Sequence, residues 1–304
     1  MLDTIIYKII RAIFRVFGVI PRRVSVYFSK VMGNIWFFID KQHRNIALEN
    51  LTRAFGREKT QQEIKILAKK VFQNIALVLF EIGWTMGLNK KEIHKYFTVK
   101  GLNNLNKAVE KGRGVLLLTG HMGNWELLTF IAAMTNHKYN IVYRQLDFPP
   151  LEKFFFDLRT RFGATMIPNF RGAMRLILKA LNKRECVGML LDQSVNWDLG
   201  VFADFFGIRT STNKGMALIS LKTGAPVVPV FIKRKGFKFE AEFEKEIPFI
   251  DTGDKIKDVE ESTFLYNKRI ENFIRQYPEQ WFWVHRRWKI APYSSWPKKK
   301  HFQK

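Results

Sequence analysis

The chain has 304 residues, with 51 Lys and Arg against 27 Asp and Glu for a formal net charge of +24. That length can bury a full core without disulfide or metal staples, the 47% hydrophobic fraction excludes a disordered basic tail protein, and the single Cys186 excludes an intrachain disulfide or a four-thiolate metal site. The 28 Phe, 8 Trp and 8 Tyr combined with a large positive field fit an anionic amphiphile or a membrane surface better than a nucleic acid.

The first twenty residues carry large apolar side chains, among them Ile5, Ile9, Ile13 and Phe17, with Lys8, Arg11 and Arg15 on one helical face. Three cations in so short a stretch argue against a plain spanning helix, and no small-residue cleavage site follows it. The pattern predicts a basic amphipathic helix lying in a membrane interface. An ordinary docked surface helix and a short span with snorkelling cations are the alternatives. Residues 1–53 read as helical throughout, punctuated by Gly18–Pro21 and by Gly33, and 61–88 read as a further helix or pair. With no linker after it, this front is a helical membrane-associating subdomain of about residues 1–90 rather than an independent domain; residues 91–304 form the second unit.

From residue 97 the texture changes. Val115–Leu118 is a continuous apolar run that suits a strand buried on both faces. Similar runs recur at 139–143, 187–191 and 227–232, with helical patterns at 125–134, 151–162, 171–182 and 213–223. The alternation predicts an α/β fold, a central mixed, largely parallel sheet flanked by helices. Residues 237–247 alternate strictly and read as an edge strand, and 260–276 as a late helix. The end of the chain, from Arg286 to Lys304, is basic without an acid and reads as a solvated tail.

The sharpest feature is Thr119-Gly120-His121-Met122-Gly123-Asn124-Trp125-Glu126. It follows a buried strand and opens a helix, where ligands of open α/β sheets bind. The spacing brings Glu126 back toward the His121 imidazole, a base with an orienting carboxylate and no enzyme nucleophile. There is no G-x-S-x-G elbow, H-E-x-x-H or phosphate-binding G-x-x-x-x-G-K-[ST], and His43, His94, His137, His285 and His301 show no metal-ligand spacing. No metal and no cofactor are expected. The economical chemistry is direct attack of a substrate hydroxyl, deprotonated by His121, on an activated acyl carbonyl.

The block Gly120–Glu126 resembles the His-x4-Asp/Glu signature of glycerolipid-type acyltransferases. Its form Gly-His-Met-Gly-Asn-Trp-Glu is similar to the lipid A biosynthesis acyltransferases, the lauroyl and myristoyl transferases of Gram-negative bacteria. Further stretches resemble that family in order: Arg44-Asn45-Ile46-Ala47, Tyr143-Arg144, Leu191-Asp192-Gln193, Phe205-Phe206-Gly207, Thr223-Gly224-Ala225-Pro226 and the ending Tyr277–Lys289. The resemblance implies an O-acyltransferase on the cytoplasmic face of the inner membrane. It would move a fatty acyl group from acyl carrier protein, or coenzyme A, to a hydroxyl of a lipid A precursor; another glycolipid or lysophospholipid acceptor is the alternative. It implies His121 as base and Glu126 as its partner. Arg144, Asp192 and Asn124 are the expected substrate-binding residues. Arg144 would meet an anionic group, and Asp192 would orient substrate, hold Arg144 or cap a turn. Phe202, Phe205 and Phe206 are one candidate lining for an acyl tunnel. Trp283, Arg286 and Arg287 read as packing plus solvated charge, although such residues also suit a lipid headgroup. The positive field would steer an acidic carrier protein and a phosphorylated acceptor to the site. A non-catalytic nucleic-acid binder has only net charge in its favour.

Overall fold

The computed structural model describes residues 1–170 and 172–289. Most of the basic tail therefore lies outside the described residues. Four helices come first: α1 (Leu2–Val19), α2 (Arg22–Ile39), α3 (Lys41–Phe55) and α4 (Gln61–Thr85). Pro21 separates α1 from α2, since proline is tolerated only at a helix start. Asp40 caps α3 by accepting from the His43 N–H, and Thr60 with Glu63 forms a capping box on α4. Gly33 is not the punctuation the sequence predicted. It lies inside α2, where a Cβ would sit 2.4 Å from the Cα of Gln73 on α4. Ser25, Ser29 and Gly33 recur at every fourth residue and are all buried, so small side chains let these two backbones approach closely.

After the short helix α5 (Lys90–Tyr96), a seven-stranded sheet begins. Its strands are β1 (Phe97–Lys100), β2 (Val115–Thr119), β3 (Tyr139–Tyr143), β4 (Thr165–Pro168), β5 (Cys186–Leu190), β8 (Val227–Lys235) and β9 (Lys238–Phe243). They lie in the order β1-β9-β8-β2-β5-β3-β4, and every neighbouring pair is parallel except the β8–β9 hairpin. The predicted mixed, largely parallel α/β sheet is the observed one. Helices α6 (Leu102–Val109), α7 (Pro149–Thr160), α8 (Ala173–Asn182), α9 (Gly215–Thr223) and α10 (Lys255–Gln276) flank it.

β9 is interior, not an edge, because the four-residue β1 pairs along its outer side. Its alternating charges are satisfied across strands: Glu240 lies 3.0–3.1 Å from the amines of Lys100, Lys233 and Lys235. The segment Trp125–Ala133 is a 3-10 helix, more tightly wound than the α-helix expected there.

β2 is the centre of the molecule, buried at all five positions. Leu116 and Leu118 join the core under α3, α4, α8 and α10. Val115 and Leu117 join the opposite core, with the 3-10 helix and Phe154 of α7. A separate hairpin of β6 (Gly200–Phe205) and β7 (Ile208–Asn213) turns at Phe206-Gly207, both with positive φ, as a two-residue turn requires. Phe205 and Phe206 pack on Trp281, Trp283, Trp288 and Phe55. They are core, not the lining of a tunnel.

Candidate active site

The site follows from strand register. Thr119, the last residue of β2, pairs with Leu190, the last of β5. The two strands are parallel, so the residues just beyond them emerge side by side at the carboxyl edge of the sheet. Those residues are His121 and Asp192.

Asp192 is fully buried. Its Oδ1 lies 2.9 Å from His121 Nδ1, and its Oδ2 accepts the His121 backbone N–H at 2.9 Å and the Trp281 indole N–H at 2.7 Å. The carboxylate fixes the ring and its tautomer: Nδ1 carries the proton and Nε2 is left for chemistry. Burial alone lowers the His121 pKa, but the charge and hydrogen bond of Asp192 outweigh it and leave it above the ordinary 6.5. Asp192 is desolvated too, yet contact with His121 keeps its carboxyl well below the usual range. Trp125 and Phe282 rings flank the imidazole at 5.2 and 6.1 Å between centroids.

Glu126 does not reach the imidazole as a hydrogen-bond partner. In the tight 3-10 turn its carboxylate faces α7 and accepts twice from Arg159, from Nε at 2.7 Å and from a terminal nitrogen at 2.8 Å. Trp125 Nε1 donates to it at 3.1 Å. The carboxylate contact expected on one ring nitrogen is thus made by Asp192, while Glu126 still adds a smaller upward pull on the His121 pKa. The other terminal nitrogen of Arg159 is buried without a hydrogen-bond partner, and its guanidinium sits over the Tyr143 and Phe155 rings at 5.4 and 5.3 Å.

Arg144 lies on the rim, exposed, and pairs with Asp147 at 3.0 Å rather than with Asp192. Asn124 is fully buried and donates to Glu81 at 3.1 Å, so its side chain faces the protein and not the cleft. Trp283 is fully buried. Arg287 is too: it donates to the Ser211 carbonyl at 2.9 Å and to Thr212 Oγ1 at 2.6 Å, and burial lowers its pKa to about 10. That residue latches the segment 281–289 to β7. Asn50 of α3 holds the same segment through the carbonyls of Trp283 and His285, at 2.8 and 2.6 Å.

The cleft over His121 has a volume of about 640 Å³ and includes Glu126, Tyr143, Arg144, Arg159 and Ser194 in its walls. A narrow apolar pocket of about 40 Å³ adjoins it between the sheet and the 3-10 helix, with Leu117, Leu128, Ile141 and Gly188 in its lining. Among the described residues no group of three or more His, Cys, Asp or Glu is placed to hold a metal ion. Sequence reasoning missed Arg159, which sits unmarked in a helical pattern. It also took Trp281 as part of a characteristic ending without assigning its indole to Asp192.

A largely parallel sheet with an acid-held histidine at its carboxyl edge, a cleft above it and no G-x-S-x-G nucleophile elbow has the layout of an α/β enzyme whose ligands bind beyond the strand ends. The comparisons narrow the class. The family described as bacterial lipid A biosynthesis acyltransferase matches residues 1–290, and the chain belongs to it. It is an O-acyltransferase. It is similar to the lipid A biosynthesis palmitoleoyltransferase of Escherichia coli (strain K12), 29% identical over 255 residues that cover 83% of this chain and 80% of the relative. The lauroyltransferase of the same organism is 26% identical over 266 residues, 86% of this chain and 84% of the relative. A phosphatidylinositol mannoside acyltransferase of Mycobacterium tuberculosis (strain CDC 1551 / Oshkosh) is 24% identical over 195 residues, 62% of this chain and 59% of the relative.

Proposed function

We propose that the chain transfers a fatty acyl group from an acyl thioester, carried by acyl carrier protein or coenzyme A, to a hydroxyl of a lipid A precursor. The observation that carries this reading is the Asp192–His121 pair opening on the cleft. His121 Nε2 takes the proton of the acceptor hydroxyl, and Asp192 stabilises the imidazolium. The acceptor oxygen forms the new C–O bond at the thioester carbonyl, the C–S bond breaks, and the imidazolium returns the proton to the departing thiolate. Ester and free thiol balance the step, and no cofactor enters it.

Glu126 serves this reaction by holding Arg159 against the cleft, and Arg144 on the rim meets an anionic group of donor or acceptor. The narrow pocket by Gly188 takes the end of the acyl chain. We place the enzyme on the cytoplasmic face of the inner membrane. No helix among the described residues is long and apolar enough to cross a membrane. However, α1 leaves Leu2, Ile5, Ile9, Ile13 and Val16 exposed along one side, and α2 leaves Val24, Val31, Ile35 and Phe38 exposed. Apolar stripes of this extent favour a partner, and Lys8 and Arg15 beside the first stripe favour an anionic surface.

The likeness to phosphatidylinositol mannoside acyltransferases favours one second acceptor class, a glycosylated phospholipid. The test is a labelled acyl carrier protein donor with a Kdo-bearing lipid A precursor, wild type beside His121→Ala. Product heavier by one acyl chain with the wild type alone supports the reading. Equal product from both removes His121 as the base, and no product with either moves the acceptor to the second class.

A further inference from the structure

Outside the cleft lies a buried carboxylate that takes no part in the proposed reaction. Glu81 interrupts an apolar stretch of α4 with its side chain only 4% exposed. Arg234, near the end of β8, donates to both Glu81 oxygens, from Nε and from a terminal nitrogen at 2.6 Å. Its other terminal nitrogen donates to Asn74 Oδ1. Its backbone is gripped by Gln280, whose Oε1 accepts the Arg234 N–H at 2.8 Å and whose Nε2 donates to the Arg234 carbonyl at 3.2 Å. The Glu81 oxygen that accepts at 2.6 Å also takes the Asn124 amide.

Asn124 is the last residue of the loop that carries His121. That loop is tethered at three places. His121 is held by Asp192 and by the Phe282 N–H at 3.1 Å. Gly123 donates to the Gln280 carbonyl at 2.8 Å, in a backbone conformation with φ +58 where a Cβ would strike the Ile232 carbonyl oxygen. The Asn124 side chain depends on Glu81. A well-packed apolar pair would fill this volume without desolvating two charges, but it would offer the Asn124 amide no acceptor and leave a buried donor unpaired. We propose that Glu81, held by Arg234, is a positioning residue that sets the His121 loop by orienting the Asn124 amide. The proposal rests on the reading of His121 as the base. At Gly83, two residues further along α4, there is no room for a Cβ against the Phe14 carbonyl of α1, so the same helix packs closely on α1 and reaches the His121 loop.

The test uses the full chain in the acyl carrier protein assay above, with Glu81→Gln, Asn124→Ala and the double variant. Asn124→Ala leaves the Glu81–Arg234 pair intact and so reports even where Glu81→Gln does not fold. Each single change is expected to lower kcat about 10- to 100-fold with KM within about threefold, the signature of misplaced chemistry. The double variant is expected to fall no lower than Asn124→Ala alone, because both act on one link. An unchanged kcat in Asn124→Ala, or losses that multiply in the double variant, overturns the proposal. His121→Ala in the same assay separates the two claims: full turnover there removes the reading of the base, whatever the cycle shows.

Discussion

Asp192 lies two residues past the end of β5 and His121 two residues past the end of β2, and the one carboxylate holds both the ring and the backbone N–H of the other. The register of two parallel strands therefore sets the tautomer of His121, the proposed base. Because Asp192 also takes the Trp281 indole, its orientation is fixed in the absence of substrate, and the proposed base catalysis would draw on that preorganisation.

His121 has a raised pKa, and Nε2 accepts a proton only when the ring is neutral. Activity should rise as pH climbs through that value, with the acid limb of kcat/KM above 6.5. Asp192→Asn removes the charge that lifts the pKa and leaves the desolvation that lowers it, so the limb moves to lower pH while kcat falls about 100-fold or more. Stability should follow the opposite course. The raised His121 pKa contributes stability fully below the unfolded value and loses it as pH rises through the folded one. The melting-temperature gap between wild type and Asp192→Asn should therefore narrow above pH 6.5. A limb that stays in place in Asp192→Asn counts against this pair.

Glu126 and Arg159 give a contrasting prediction. Both side chains are mostly buried and joined by two short bonds. Removing one partner leaves a buried charge unpaired, which costs about 3–5 kcal/mol. Glu126→Ala should thus lower the melting temperature by several degrees and slow turnover, yet displace the acid limb less than Asp192→Asn does. Glu126→Ala combined with Arg159→Met should recover part of the stability without recovering full activity. Denaturation and pH–rate profiles on the same preparations decide it: no loss of stability in Glu126→Ala would mean that the pair contributes nothing net.

Much of the sheet is legible in the sequence because a parallel strand covered on both faces needs an unbroken apolar run, as at Val115–Leu118. β1 escapes notice because it is four residues long with only Phe97 buried, and without it β9 reads as an edge. His121 is legible as the proposed base because it sits in a glycine-flanked turn after a strand. Its partner is not. His-x4-Glu is a local pattern, whereas Asp192 is 71 residues away and arrives only through the β2–β5 register. Arg159 and Glu81 carry no local motif at all; only an acid inside the apolar run of α4 hints at the second.

Chain-length selection should respond to Gly188. This residue of β5 lines the narrow pocket, and a Cβ there would lie 2.9 Å from Ile141 Cδ1, the movable end of a side chain. Gly188→Ala should fold and fill part of a pocket of about 40 Å³. One methylene is worth about 1 kcal/mol of apolar transfer, so the preferred donor should shorten by about one or two carbons, with a severalfold loss of kcat/KM on the longer one. Competition between acyl donors of graded length measures this. An unchanged preference would place the chain end elsewhere in the cleft.

The exposed stripes of α1 and α2 should determine lipid binding. Ile9 and Ile13 are 52% and 48% exposed, and Ile35 and Phe38 are 52% and 59% exposed. None of the four belongs to either buried core cluster, so Ile9→Asn, Ile13→Asn, Ile35→Asn and Phe38→Asn together should leave the melting temperature within a few degrees. Each side chain loses about 1 kcal/mol of burial in the lipid interface, so together they weaken partitioning by close to a thousandfold, about 4 kcal/mol. Sedimentation with vesicles containing phosphatidylglycerol measures the loss. The cations of α1 add a separate contribution that salt screens within about 8 Å at physiological ionic strength, so residual binding of the quadruple variant should vanish as salt rises, while wild-type binding should persist. Wild-type binding that disappears equally with salt would make the attachment electrostatic and leave the apolar stripes without a role in it.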